Sequence, residues 1–267
     1  MDALVPGLIV LGFGAAVGSF LNVVAYRLPA GISLLYPPSR CPHCDTRLKP
    51  YDNVPVLGWL WLQGRCRSCR NPIALRYPVV ELATGGLFLA VFITFGITWQ
   101  TLGYWIFISW LLALALIDLD TLTLPNSLTA SGLLLGWAAQ GWLGYAQMPT
   151  FSHAASSILS AMIASVCGLW LFDAVGIAGA RAFGKAAMGG GDAKLAAMMA
   201  AWLGWSGLLL ATFLAALLGV VIGGGALAAG VLAPKQHIPF GPYLALGALL
   251  ALFYGNQLIE AYLAIFF

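Results

Sequence analysis

The chain has 267 residues, of which 61% are hydrophobic and only 8% are charged. A soluble domain carries about 25% charged residues, so this composition excludes a soluble globular fold and makes lipid the solvent of most of the chain. The formal net charge of +3 excludes no class of protein, but the positions of the basic residues predict how the chain crosses the membrane.

The apolar stretches predict an all-α polytopic membrane protein. About 20 apolar residues span a bilayer core, so the length allows about eight transmembrane helices and one polar segment. The first helix, over 1–26, has no basic region before its apolar run and is expected to be retained, unlike a signal peptide. A polar segment over 27–78 and a transmembrane core over 79–267 follow. The predicted spans cover residues 4–26, 79–95, 102–117, 128–145, 155–178, 192–205, 208–232 and 243–265.

The basic residues predict the orientation. Eight of the twelve Lys and Arg residues fall between Arg27 and Arg76, and basic loops stay in the cytoplasm. With this segment in the cytoplasm, the N-terminus lies outside and the connections 118–126, 179–191 and 235–239 lie inside. The other four basic residues fall in the last two of these connections or within a turn of one, and the outer connections contain none.

The polar segment contains two CxxC pairs, Cys41 with Cys44 and Cys66 with Cys69, separated by 21 residues. This spacing is typical of a tetrahedral four-thiolate zinc site. A segment of about 50 residues buries little core, so a structural metal would supply folding energy. Two disulfides or a redox pair are the alternatives, and the predicted cytoplasmic location disfavours disulfides.

Asp118 and Asp192 are the candidate catalytic residues. A carboxylate in or beside the membrane is costly and is therefore a functional candidate. The predicted topology places both at the same cytoplasmic depth, although 74 positions separate them. Two carboxylates that meet in a partly dry site share one proton. One can then remove a proton from water while the other polarises a scissile carbonyl, which is the chemistry of an aspartyl protease.

Three glycines, Gly189, Gly190 and Gly191, directly precede Asp192. Glycine lets the backbone come close to a substrate and gives a flexible entry to a helix. A negative charge also suits a helix N-terminus. The structural alternative is that Asp192 is an N-cap residue and that Asp118 is an ordinary carboxylate at the membrane interface.

Two further aspartates compete with this pair. In a helix, Asp120 points about 200° away from Asp118, so we do not expect both to face one site. Asp173 lies near the cytoplasmic end of its predicted span, where we expect it to pair with Lys194 or Lys185.

Glu81 and Lys194 are candidate supporting residues for the site. Glu81 lies about one turn into its predicted span, where a carboxylate needs an explanation. A transporter that uses Asp118, Asp173 and Asp192 as a proton relay is an alternative function. It predicts carboxylates near the bilayer midplane and inverted repeats, and the sequence displays neither.

Several motifs, in order along the chain, resemble those of the type IV prepilin peptidases, a family of GxGD aspartyl proteases. The run GGGDAKL over 189–195 resembles the GxGD signature, and the stretch from Asp118 to Asn126 resembles the family's other aspartate motif. GSFLNVV and YRLP in the first helix, the paired CxxC segment, Pro78 with Glu81, and PFGPY over 239–243 complete the set.

The resemblance implies an intramembrane endopeptidase of the bacterial inner membrane. Such enzymes remove the short basic leader of type IV prepilins and pseudopilins at the cytoplasmic face, with Asp118 and Asp192 as catalytic aspartates and the four cysteines as zinc ligands. Members with the cysteine segment usually also methylate the new N-terminal amine with S-adenosylmethionine, and a peptidase without this second activity is the alternative. No motif locates the methyl donor. Membrane lipid is an expected partner and nucleic acid is not.

Overall fold

The computed structural model describes residues 4–184, 188–230 and 238–266. Over these ranges the regular structure is helical, which confirms the predicted all-α fold. Six of the described helices are long and apolar enough to cross a membrane. The predicted number of about eight spans stays a prediction. The helix over Asn126–Gln147 is not among the six candidates. The spans predicted over 192–205 and 208–232 lie largely within one candidate, Gly190–Ala228.

The chain divides into two compact units, which we call the N-terminal unit (Met1–Ala113) and the C-terminal unit (Leu114–Phe267). The domain boundaries proposed at 26/27 and 78/79 stay a prediction. The N-terminal unit contains the following helices: α1 (Leu4–Arg27), α2 (Leu57–Trp61), α3 (Arg76–Phe95) and the first part of α4 (Trp99–Thr121).

Helices α1 and α3 pack through small residues. A Cβ added to Gly14 would lie 2.8 Å from the Cβ of Phe88, and one added to Gly18 would lie 2.8 Å from the hydroxyl of Thr84. Small residues let membrane helices approach closely enough for extensive van der Waals contact. The cysteine segment lies between these two helices in the chain, so both of its ends are fixed by the helix pair.

In its described residues, the C-terminal unit contains the end of α4 and five further α-helices. Its buried side chains include Leu195, Met198 and Leu244, each of which has 1% or less of its surface exposed. The helices are α5 (Asn126–Gln147), α6 (Phe151–Phe183), α7 (Gly190–Leu218), α8 (Gly224–Ala228) and α9 (Gly241–Phe266), with a π-helical turn over Gly219–Gly223 between α7 and α8.

Helix α6 extends further than the sequence predicts. The expected glycine-rich loop over 179–191 is wrong at its start, because α6 continues to Phe183. A single glycine inside a helix costs only about 1 kcal/mol, so Gly179 does not end it. The helix ends where Gly184 adopts a left-handed conformation with φ of +67°, which glycine accommodates without steric cost. Residues 185–187 of the predicted loop lie outside the described residues.

Helix α7 is broken near the position where the sequence predicts a turn between two spans. Gly204 has φ of +71° and ψ of −176°, which is not helical. The residues before it are held by α5, since Gln140 Nε2 donates to the carbonyl of Trp202 at 2.8 Å and Trp202 Nε1 donates to the carbonyl of Gly132 at 2.9 Å. The first part of α7 is therefore fixed by side-chain hydrogen bonds at its far end.

Candidate active site

Asp118 lies in the last turn of α4 and is buried, with 5% of its surface exposed. Its carbonyl accepts from the N–H of Leu122 at 2.9 Å, where the helix ends. Its side chain accepts a hydrogen bond at Oδ2 from the backbone N–H of Gly241, at 2.9 Å. A buried carboxylate needs such donors, because an unpaired charge is costly away from water.

Gly241 begins α9 and is closely fitted to this carboxylate. A Cβ at position 241 would lie 2.6 Å from Asp118 Oδ2 and 3.1 Å from its Cγ. No side chain larger than hydrogen therefore fits without displacing Asp118. The PFGPY motif indicates only a family resemblance in the sequence, and the role of Gly241 was not predicted. A glycine in this motif is itself a signal of a close contact, but the sequence does not connect it with its partner Asp118, which is 123 positions away.

Asp192 lies in the first turn of α7 and is also buried, with 8% of its surface exposed. The N-cap residue is Gly189, so Asp192 is at the third helical position and the alternative that it is the N-cap is wrong. Its carboxylate has the backbone of Gly189 as a hydrogen-bond partner. A carboxylate at this position that reaches back to the N-cap N–H satisfies a backbone donor that the helix itself leaves free.

The carboxylates of Asp118 and Asp192 are close enough for the negative charge of Asp118 to act on Asp192. Two contacts hold the start of α7 beside the α4–α5 connection. A Cβ at Gly191 would lie only 3.0 Å from the Cβ of Leu124, and Lys194 Nζ donates to Asn126 Oδ1 at 2.7 Å. The structure thus brings together the two sequence motifs that contain the aspartates.

The other predicted residues have simpler environments. Asp120 is exposed while Asp118 is buried, as the helical geometry predicts. Asp173 is exposed, and its predicted pairing with Lys194 is wrong, because the ion pairs among the described residues do not include it. The Lys194 ammonium group donates to Asn126. Lys185 lies outside the described residues. A Cβ at Gly190 would meet no atom of the described residues within 4 Å.

The four cysteines of the N-terminal unit converge. The sulfur atoms of Cys41, Cys44, Cys66 and Cys69 all lie within 4.8 Å of one another. Sγ of Cys41 lies 3.8 Å from that of Cys69, and Sγ of Cys44 lies 4.0 Å from that of Cys66. Tetrahedral zinc with Zn–S distances of about 2.3 Å separates its sulfur ligands by about 3.8 Å. The four cysteines are free, so the disulfide alternative is wrong and the cluster could hold a metal ion.

The two CxxC pairs adopt the same local turn. The N–H of Asp45 donates to the carbonyl of Cys41, and the N–H of Arg70 donates to that of Cys66. Asp45 and Arg70, each following the second cysteine of its pair, have φ of +53° and +60°. The turns direct donors at the sulfurs: hydrogen bonds with Thr46 lower the pKa of Cys44 to about 6. Such donors favour the thiolate that binds a metal.

Comparisons with known proteins agree with this geometry. A family model described as the bacterial peptidase A24 N-terminal domain matches residues 12–95, and the model of the type IV leader peptidase family matches residues 105–224. A prepilin leader peptidase/N-methyltransferase of Stutzerimonas stutzeri is 37% identical over 95% of this chain and 92% of its own length. The chain belongs to the type IV leader peptidase family.

Two other relatives are also named prepilin leader peptidase/N-methyltransferase. The prepilin leader peptidase/N-methyltransferase of Aeromonas hydrophila is 38% identical over 95% of this chain and 92% of its own length. That of Myxococcus xanthus is 42% identical over 79% of this chain and 60% of its own length. No solved structure matches the chain. The family and the six apolar helices identify a multi-pass protein of the inner membrane.

Glu81, a candidate supporting residue of this leader peptidase family member, lies in the N-terminal unit. It is buried in α3, with 8% of its surface exposed. Its Oε2 accepts the backbone N–H of Val56 at 2.6 Å, and the hydroxyl of Ser19 is its second partner. Val56 has φ of +61°, which β-branched residues rarely adopt. Glu81 therefore anchors the cysteine segment to α1 and α3.

Proposed function

We propose that this chain removes the leader of type IV prepilins and pseudopilins, with Asp118 and Asp192 as its catalytic pair, and then methylates the new N-terminal amine. The single observation that supports this most strongly is the meeting of two buried, interacting carboxylates, each held by a backbone donor, at the ends of two helices. The names of the relatives, prepilin leader peptidase/N-methyltransferase, support the same function.

The peptidase step needs one proton shared by the two aspartates. The ionised carboxylate removes a proton from a water molecule, whose oxygen attacks the scissile carbonyl carbon. The protonated carboxylate donates to the carbonyl oxygen as its negative charge develops. When the tetrahedral intermediate collapses, the C–N bond breaks and the leaving amine takes a proton from the carboxylate that received it from water. As the new carbonyl forms, a hydroxyl group of the intermediate returns a proton to the carboxylate that had donated to the carbonyl oxygen, so the pair again shares one proton.

The surrounding backbone prepares Asp118 and Asp192 for this step. The N–H of Gly241 occupies one lone pair on Oδ2 of Asp118, which fixes the orientation of this carboxylate. The first-turn position of Asp192 places its charge where the helix dipole favours an anion. Fixed donors and dipoles of this kind lower the barrier because they need no rearrangement during the reaction.

The cysteine segment over 27–78 is proposed to be a cytoplasmic module that zinc holds together. Zinc would bind the sulfurs of Cys41, Cys44, Cys66 and Cys69, whose separations suit a tetrahedral shell. Its role would be structural, because four thiolates leave no open position for a substrate. We propose that this segment and the aspartate pair face the cytoplasm and that the N-terminus lies outside, as the positions of the basic residues favour.

The test is co-expression with a type IV prepilin and measurement of leader removal by mass spectrometry. Asp118→Asn and Asp192→Asn keep the shape of the side chain and remove the carboxylate, so each should leave the prepilin uncleaved. Asp120→Asn is the matched control, because it makes the same change two residues away at an exposed position. The mass of the product from the unmodified enzyme reports methylation.

Normal cleavage by either Asn variant of the pair would overturn the catalytic assignment of that residue. Loss of cleavage in Asp120→Asn equal to that in Asp118→Asn would show that the assay reports helix integrity instead of chemistry. Because Asn can be deamidated to Asp, each variant is also tested as Ala, which must give the same result.

A further inference from the structure

A cavity of about 350 Å³ lies in the N-terminal unit, between the C-terminal half of α1 and the cysteine segment. One face of α1 forms a wall of it through residues spaced by four, three and four positions, namely Ala16, Phe20, Val23 and Arg27. The segment contributes residues 34–35, 37–39, 53 and 55. Ligand cavities start at about 300 Å³, and the proposed peptidase step uses none of these residues.

The cavity is charged at one end and apolar along most of its length. Arg27 is the last residue of α1, and Ala16 lies eleven residues before it, about 16 Å along the helix axis. The walls between these two ends are mostly apolar and include Phe20, Val23 and Leu35. A ligand that matches such walls has a charged head and an apolar tail.

The charge at the head of the cavity is positive. Among the described residues that line it, Arg27 alone is charged. Its Nη1 donates to the carbonyl of Ser33 at 3.0 Å, while its Nε and Nη2 have no partner in the described part of the chain. A guanidinium group held in this way presents its other donors as a fork, which suits the oxygens of a phosphate group.

The buried carboxylate of Glu81 lies towards the other end. Glu81 does not line the cavity, but it hydrogen-bonds Ser19, which does. Ser19 is eight residues before Arg27, or about 12 Å along α1. The negative charge of Glu81 is therefore placed on the apolar side and leaves the Arg27 end available to an anion.

The chain beside the cavity has the composition of a membrane interface. Residues 28–39 contain no charged residue, although eight of the twelve Lys and Arg residues lie between Arg27 and Arg76. In this run Leu35 is 90% exposed and Tyr36 is 73% exposed. Exposed apolar patches mark contact sites, and tyrosine is enriched where the bilayer meets water. Since α1 is itself a candidate membrane span, the cavity opens at the level of the lipid headgroups.

The chemistry of the walls selects one kind of amphiphile. A soluble phosphate ester would occupy the Arg27 end but leave the apolar walls at Phe20 and Leu35 uncovered, whereas an acyl chain would cover them. A zwitterionic headgroup adds an ammonium group, for which the described lining offers no carboxylate. A headgroup with a net negative charge avoids this cost and is also attracted by the basic residues of the segment.

We propose that this cavity binds an anionic phospholipid, with the phosphate at Arg27 and one acyl chain along Phe20 towards Ala16. The bound lipid fills the space between α1 and the cysteine segment and so connects the segment with the bilayer surface. The choice of the inner leaflet rests on the orientation given under the proposed function, and the binding itself does not.

Lipid binding is measured on the full chain, purified in a neutral detergent and freed of lipid, by native mass spectrometry. The unmodified chain should retain phosphatidylglycerol at least about fivefold more tightly than phosphatidylcholine. Arg27→Gln keeps a donor for the carbonyl of Ser33 but removes the charge, and it should abolish this preference. Arg27→Lys keeps the charge and should retain most of it. Arg47→Gln is the matched control, because Arg47 is exposed in the same segment and does not line the cavity.

The apolar part of the site is tested separately. Phe20→Ala should weaken retention of phosphatidylglycerol by at least about threefold. Phe13→Ala is its control, since Phe13 lies on the same helix with 52% exposure and does not line the cavity. Phosphatidylglycerol with a photoreactive acyl chain should label peptides from 16–27 or 34–39 of the unmodified chain, which decides the location even if a variant unfolds. An excess of glycerol phosphate should not displace the lipid.

Four results would overturn the lipid site. They are equal retention of the two lipids by the unmodified chain, an equal loss in Arg47→Gln and Arg27→Gln, photolabel confined to other peptides, and displacement by glycerol phosphate. The second would indicate a diffuse attraction to the basic segment, and the last a site for soluble phosphate. None of these measurements uses a prepilin, so failure of the lipid site leaves the proposed peptidase function standing, and failure to cleave a prepilin leaves the lipid site standing.

Discussion

The backbone N–H of Gly241 donates a 2.9 Å hydrogen bond to Oδ2 of Asp118, joining positions 123 residues apart. The start of α9 thereby sets the orientation of a carboxylate at the end of α4. The same glycine leaves no room for a side chain, because a Cβ would lie 2.6 Å from that oxygen atom. One position therefore combines a hydrogen-bond donor with a steric limit, and both act on the proposed catalytic group.

Gly241→Ala should slow prepilin cleavage by about a hundredfold, because displacing a catalytic group by about 1 Å has an effect of that size. The measurement is the initial rate of leader removal by the purified variant. Gly224→Ala is the control, since a Cβ there would meet no atom within 4 Å in the part of the chain that the structure describes, and its rate should match that of the unmodified enzyme. Normal activity in Gly241→Ala would mean that Asp118 tolerates the displacement and that its orientation is not critical.

Gly191→Ala should slow cleavage by roughly tenfold, because its Cβ would press on Leu124 at 3.0 Å and shift Asp192 with the start of α7. Leu124→Ala removes the opposing atoms, so the double variant should recover much of the lost rate. A double variant slower than Gly191→Ala would show that this contact does not position Asp192. The rates of the four enzymes form a double-mutant cycle.

The sequence was sufficient to nominate the residues of the candidate site but not to predict their contacts. The rarity of carboxylates in an apolar chain pointed to Asp118 and Asp192, and the CxxC spacing predicted the sulfur cluster. These signals are local residue types whose cost or chemistry needs an explanation wherever they fold. By contrast, Gly241 and Val56 act through backbone N–H groups, which every residue except proline possesses. Even where the residue type is informative, as at Gly241, the sequence does not say which distant carboxylate the N–H group contacts.

The helix boundaries show the same limit. The short apolar run before Trp205 predicted a break in α7, and Gly204 provides one. Gly179 also suggested a break, but α6 continues to Phe183. Glycine permits a break without requiring one, because the outcome depends on the packing of neighbouring helices. Only Gly184, with φ of +67°, ends the helix.

Lys194→Met should have a small effect, reducing stability by about 1 kcal/mol or less, because its hydrogen bond with Asn126 is exposed and exposed charged contacts contribute little. Thermal unfolding in detergent measures the stability, and the leader-removal assay should lose less than about tenfold in rate. Asn126→Ala should behave alike, and the double variant should be no worse than either single one. A loss in Lys194→Met comparable to that in Asp192→Asn would instead assign Lys194 a direct role in catalysis.

Cys66→Ser should remove the metal from the cysteine segment, because three thiolates and a hydroxyl bind zinc far more weakly than four thiolates. Elemental analysis of the purified chain should find about one zinc per unmodified chain and almost none in the variant. The segment contains most of the chain's arginines and lysines, so loss of its fold should expose new trypsin sites between Arg27 and Arg76. Cys167→Ser is the control, since Cys167 lies in α6 outside the cluster, and it should retain both the metal and the resistance to trypsin. Full zinc content in Cys66→Ser would show that the ion binds elsewhere and that the four sulfurs converge for another reason.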